Sequence, residues 1–169
     1  MRTYVLFVAA LAVTAPALAQ QPTDAQIASI VVTANQVDLD AGKLAEARGA
    51  SAEVKAFGRQ MATDHARVNA SAVELVTKLK VTPEDNPTSK ALKSGGDKNL
   101  ATLKSLSGAA FDKAYIANEV VYHQQVLDAV DQVLIPSAKN DELKALLVKV
   151  RPAFVSHLEH AKRLQAELK

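Results

Sequence analysis

Cysteine is absent from the 169-residue chain. That excludes disulfides, thiolate metal ligands and thiol nucleophiles, and leaves packing alone to stabilise the fold. Tryptophan is also missing and aromatic residues make up only 4% of the chain, so burial must come from alanine, leucine and valine. An excess of one charge is lacking as well. Arg2 is one of 20 basic residues, which leaves 19 against 18 acidic ones in the remainder. No face concentrates Lys and Arg, so nucleic-acid binding has no electrostatic basis. There is no Gly-rich phosphate loop, no Gly-x-Ser-x-Gly elbow and no His-Glu-x-x-His helix, which removes the common signals of nucleotide binding, serine hydrolysis and zinc proteolysis.

Long hydrophobic runs are lacking too, apart from one at the N-terminus. Arg2, the apolar residues 5–13 and the small-x-small pattern Ala17-Leu18-Ala19 predict a secretory signal peptide over residues 1–19, cleaved after Ala19. The run is too short to span a bilayer, and Pro16 follows it where a basic stop-transfer cluster would stand. No cysteine at the junction means no lipid attachment there. The expectation is an exported protein, periplasmic or envelope-associated, whose single domain is residues 20–169 and has no transmembrane segment. Its oligomeric state is not encoded in any recognisable pattern.

What is present is helical periodicity. Glycine and proline gather at a few points and leave long stretches with apolar residues at alternating spacings of three and four. Helix one is predicted over 24–48, capped by Thr23 or Asp24, with inward stripe Ile27, Val31, Ala34, Asp38, Ala41, Ala45. Gly49 breaks it and Ser51 caps helix two, whose stripe reads Val54, Gly58, Met61, His65, Val68, Ala72, Leu75, Leu79. Residues 81–96, with Pro83, Pro87 and Gly95-Gly96, read as a solvated connection, followed by a short helix over 97–106. A connection of that length can cross the whole bundle and make helices two and three parallel, as in ferritin-like folds. Helix three is predicted over 109–134, ended by Pro136, with Ile116, Val120, His123, Leu127, Val130 and Leu134 inward. Helix four starts near Asn140 and carries Leu143, Leu147, Val150, Phe154, His157, Ala161, Leu164 and Leu168, with a kink expected at Pro152. The fold class is all-α, a ferritin-like four-helix bundle with a long connection between helices two and three.

Each stripe is broken once by a polar residue: Asp38, His65, His123 and His157. Asp38 lies eleven residues before Gly49 and His65 sixteen after it, a height difference of roughly 7 Å at about 1.5 Å per residue. The same count about Ser137 separates His123 from His157 by about 9 Å. Side chains lean toward the N-terminus of their own helix, which closes both gaps.

Three imidazoles and a carboxylate suit zinc, copper(II) or iron(II) and disfavour calcium and magnesium, which take oxygen ligands. Glu119, four residues before His123, Asp64 beside His65, and His160 after His157 are flanking candidates to orient the ligands. The competing reading is a buried Asp/His hydrogen-bond network in a non-metal structural or interaction protein of the envelope, one that titrates near neutrality. A carboxylate-bridged di-iron bundle requires Glu-x-x-His on two helices. Ala62, Val120, Phe154 and His157 stand three residues before the four histidines, so that chemistry is excluded, and no catalytic residue is assigned.

Four segments resemble a known family. They are Gly42-Lys43-Leu44-Ala45; Val54-Lys55-Ala56-Phe57-Gly58-Arg59-Gln60-Met61 followed by Asp64-His65; Phe111-Asp112-Lys113-Ala114-Tyr115 followed by His123; and Pro152 followed by His157-Leu158. They are similar to a bacterial exported family of unknown function, ferritin-like in its predicted fold and often labelled predicted outer membrane protein. The resemblance covers essentially all of residues 20–169. It implies an envelope-associated helical bundle and points to the same Asp-His, His and Pro-x-x-x-x-His-Leu positions. The acidic residue of the family's first helix, often Glu, corresponds to Asp38. The chain lacks the alternating strand-length segments of a β-barrel.

Overall fold

The computed structural model describes residues 21–168, so the expected signal peptide lies outside the described residues. Those residues are helical, with no strand among them. Helix α1 (Asp24–Arg48) opens with a capping box in which Thr23 Oγ1 accepts from the Gln26 N–H and Gln26 Oε1 accepts from the Thr23 N–H, both at 3.2 Å. Ser51 caps α2 (Ala52–Leu79) through Val54 N, and Lys80 closes it in the left-handed region at φ 56°. Asn140 caps α6 (Asp141–Glu167), which runs unbroken through Pro152. Among the described residues, no helix is long and apolar enough to cross a membrane.

The link between α2 and α4 differs from its sequence reading. Helix α3 (Pro87–Lys104) begins ten residues earlier than expected and runs straight through Gly95-Gly96. Asn86 caps it, accepting from Thr88 N and Ser89 N at 3.1 Å, and Pro87 sits in the first turn where its missing N–H is harmless. Gly96 is needed for a tertiary reason. A Cβ there would lie 2.6 Å from Val37 Cγ2, so glycine lets α3 settle against α1. Local propensity disfavours the pair, and packing overrides it.

Helix α4 (Gly108–Ala129) continues through a π-helical turn, Val130–Leu134, into a last short helix α5 (Ile135–Ser137). Pro136 therefore lies inside the final turn instead of ending the helix before it. The π turn, closed by Ile135 N donating to the Val130 carbonyl, left no trace in the periodicity.

Contacts at the two ends fix the direction of the helices. The Asp112 carboxylate in the first turns of α4 accepts from Ala50 N and Ser51 N at 2.8 Å each, so α4 starts beside the α1–α2 turn. At the other end Asp24 of α1 accepts from Lys139 N (2.9 Å) and Asn140 N (3.0 Å), and Lys78 of α2 pairs with Glu142 of α6. Helices α2 and α4 are thus parallel, each antiparallel to its hairpin partner, and α3 makes the return along α1. Arg48 secures the α3–α4 link by donating to the Lys104 and Leu106 carbonyls at 2.9 Å.

Two apolar layers fill the interior. One centres on Phe57, Met61, Phe111 and Tyr115 near the α1–α2 turn; the other on Ile27, Leu134, Leu143 and Leu147 at the opposite end. The α1–α2 pair is drawn together at Gly42 and Gly58, where a Cβ on Gly58 would meet Glu46 N and Gly42 O at 2.7 Å. Gly58→Ala is accordingly expected to cost about 1–3 kcal/mol through forced separation of two backbones. Gly95→Ala, with nothing within 4 Å of the added atom, should gain up to about 1 kcal/mol of helix stability. Thermal melts of the two variants check both signs.

Candidate metal centre

Between the apolar layers lies a polar one. Asp38 from α1, His65 from α2, His123 from α4 and His157 from α6 are all buried, with Asp38 and His123 each 1% exposed. The sequence-expected lean brings them to one level. His65 Nε2 is 3.0 Å and His123 Nε2 3.3 Å from Asp38 Oδ2. The three imidazole rings stand 5.3–5.6 Å apart, centroid to centroid. One ring nitrogen from each comes within 4.8 Å of the others. A four-coordinate ion with bonds near 2 Å needs donors about 3.4 Å apart, so closure takes an inward adjustment of each ring by under about 1 Å.

Every imidazole is oriented by an acceptor on its far side. Asn35 donates its amide to the Val31 carbonyl (2.8 Å), which turns Oδ1 toward His65 Nδ1 at 2.7 Å. His123 Nδ1 donates to the Glu119 carbonyl at 3.1 Å. His157 Nε2 donates to Asp64 Oδ2 at 3.0 Å, while Arg67 lies 3.6 Å from the other Asp64 oxygen. With the outer nitrogen holding the proton, the inner nitrogen of each neutral ring offers a lone pair to the centre. Those inner atoms, His65 Nε2, His123 Nε2 and His157 Nδ1, make no aligned hydrogen bond, and neither does either oxygen of Asp38. The Asp38 contacts are close in distance but wrong in angle. Phe154 stacks on His65 (5.5 Å, 6°) and keeps its ring from turning.

Glu119 is more than a flanking residue. It is 1% exposed, its Oε2 is 3.4 Å from His123 Nδ1, and with Asp38 and His123 it forms a second group of donors within 4.8 Å. Its spacing of four before His123 places it on the buried side of α4, whereas Val120, assigned inward from the sequence, is only half-buried. Asp64, 31% exposed, orients His157 from the rim as a ligand-orienting carboxylate does. His160 stands apart, held by Gln60 at 3.3 Å and edge-on to Phe57. Sequence reasoning missed Asn35, although it shares an inward face with Asp38 at a spacing of three, and Tyr115, whose buried hydroxyl also lacks a partner.

The electrostatics match a site built for positive charge. Burial alone would raise the Asp38 pKa, but the charges of His65 and His123 outweigh it and hold the carboxyl well below the usual range. Burial and the negative charge of Asp38 push Glu119 up to about 8. Burial opposes the His123 proton, yet Asp38 and Glu119 retain it and raise that pKa to about 9. Burial and the charges of His65 and His123 lower His157 to about 4. Protons on Glu119 and His123 compensate Asp38, and a cation bound at the centre would displace them.

A family described as a domain of unknown function, DUF4142, matches residues 9–164. The chain belongs to the DUF4142 family. No curated protein and no solved structure matches it. The DUF4142 match spans all four helices that bring polar residues to the centre, so those residues lie within the family domain and not in an appendage to it.

Proposed function

We propose that this DUF4142 protein is an exported, ferritin-like four-helix bundle that binds one transition-metal ion in its core, for storage, buffering or sensing. His65, His123, His157 and Asp38 are the ligands, Glu119 is an additional carboxylate donor, and zinc, copper(II) or iron(II) suits the set. The observation that carries this reading is the convergence of three imidazoles, two of which set their inner nitrogens against the Asp38 carboxylate without an aligned hydrogen bond, each ring being held from outside by its own acceptor. Buried polar groups in an ordinary core find hydrogen-bond partners; this cluster leaves its unsatisfied atoms facing one another. The near-neutral surface supports no nucleic-acid role, and the signal-like residues 1–19 support placement in the periplasm or at the envelope.

Calorimetric titration of metal-free protein with zinc, copper(II) and iron(II) tests the proposal. One equivalent should bind with micromolar or tighter affinity, and X-ray absorption should show nitrogen and oxygen neighbours without sulfur. Binding no tighter than millimolar for all three ions ends it.

One observation favours the alternative of a proton-sharing core network in an envelope interaction protein: the elevated pKa values of Glu119 and His123. Melting with and without chelator separates the two. A metal-loaded core loses stability when stripped, and a proton network responds to pH alone.

A further inference from the structure

A cavity of about 100 Å³ opens directly off the polar layer. Asp38, His65, His123 and Tyr122 are its ionisable lining; the walls are otherwise mostly apolar, with Val130, Leu134, Leu147 and Phe154 prominent in them. We propose that this cavity is a binding site for a small, uncharged, apolar molecule in the size class of dioxygen, seated against the ligands of the metal centre. The proposal rests on the metal reading for what the molecule would meet there, but the cavity stands on its own geometry.

Three features argue for a site instead of a packing defect. The first is position. The void touches two of the three imidazoles and Asp38, so an occupant would lie directly against the proposed ligands. The second is the π turn Val130–Leu134, since single π turns recur at functional sites. Val130 and Leu134 from that turn border the cavity, with Ala129 just ahead of it. The third is α3. Its Thr88 and Leu92 reach the same cavity, so the crossover helix covers this side of the centre. The lining also defines the ligand class. It presents no Lys or Arg to an anion and no carboxylate besides Asp38 to a cation, and its mostly apolar wall is of the kind that accepts xenon or benzene in a cavity of this order.

Xenon is the probe. Methyl-resolved NMR of the metal-free protein under increasing xenon pressure should show saturable shifts at Val130, Leu134 and Leu147, with little change at methyls of the distant Phe57–Phe111 layer. Ala129→Leu, which fills the cavity from the start of the π turn, should weaken xenon binding at least tenfold. Ala34→Leu, filling it from α1, serves if the first variant does not fold. Shifts that rise linearly with pressure, or persist unchanged in both filled variants, overturn the proposal. Zinc affinity measured in parallel keeps the two readings apart. Zinc binding without saturable xenon binding sinks the cavity site alone. Saturable xenon binding without zinc binding supports the cavity and sinks the metal reading.

Discussion

Asp38→Ala is expected to remove most of the rise in melting temperature that zinc gives the unaltered protein. At a free zinc concentration about a thousand times Kd, binding adds roughly 4 kcal/mol, or roughly 10 °C for a domain of this size. Asp38 is the carboxylate in contact with both His65 and His123, at 3.0 and 3.3 Å. Its loss should weaken zinc by more than the about 10–100-fold that outer-shell partners are worth. The variant also has a pH signature when metal-free. Asp38 is the leading group that holds the proton on His123 against burial, so its removal should cost about 3 kcal/mol near pH 6, as breaking a buried charge pair does. Above the native His123 pKa the ring is neutral in both proteins, and the difference closes. Differential scanning fluorimetry with a zinc series at pH 6 and pH 9 reads both effects. A variant that keeps the full zinc-dependent rise removes Asp38 from the ligand set.

The metal-free protein should lose stability as pH rises from about 6.5 to 9, a direction opposite to that expected from ordinary surface carboxylates. The sign follows from proton counting. Glu119 moves from its usual 4.5 to about 8, and His123 from 6.5 to about 9. In both cases the folded state binds the proton more tightly than the unfolded chain. Their contribution is complete below the unfolded pKa and disappears as pH climbs through the folded one. On the acid side His157, lowered to about 4, behaves oppositely: its contribution is complete above 6.5 and is lost toward pH 4. Asp38, depressed further, adds to the acid loss below its usual carboxylate range. Between about pH 4.5 and 6.5 the Glu119 and His157 contributions run in opposite directions and offset, so stability is level there and the melting temperature falls by several degrees by pH 9. Saturating zinc should remove the alkaline fall, because the ion takes the place of the protons and binds better as they leave. Melts from pH 5 to 9 with and without zinc check it; an alkaline fall that zinc leaves untouched argues for the proton network.

Much of the site was legible in the chain because a helix converts sequence spacing into direction. One polar residue per apolar stripe placed Asp38, His65, His123 and His157 inward, and counting from the turns put them at compatible heights. Glu119 was less visible. It stands at the border of the apolar stripe, and the rotation of α4 about its axis, which decides between Glu119 and Val120, is set by contacts with α1 and α6. The roles of Asp64 and His160 separated for a similar reason. Both flank inward histidines in sequence, but only Asp64 faces another helix's imidazole, whereas His160 meets Gln60 and Phe57. Helix α3 was hidden because Gly95-Gly96 reads as a break unless Val37 is known to press against it.

By itself the sequence determined an all-helical chain with four inward stripes, a composition free of thiols, and one polar interruption in each stripe, since these follow from residue type and the 3.6-residue period. The tertiary structure decided what no period encodes. Side-chain rotation and helix contacts bring the imidazoles together and set Glu119 beside Asp38 and His123. The ring orientations of His65 and His157 depend on Asn35 and Asp64, brought to them by the approach of separate helices, whereas the Glu119 carbonyl meets His123 within α4 at a spacing of four. The cavity beside the centre is bordered by every long helix, with the π turn and the crossover helix among its walls.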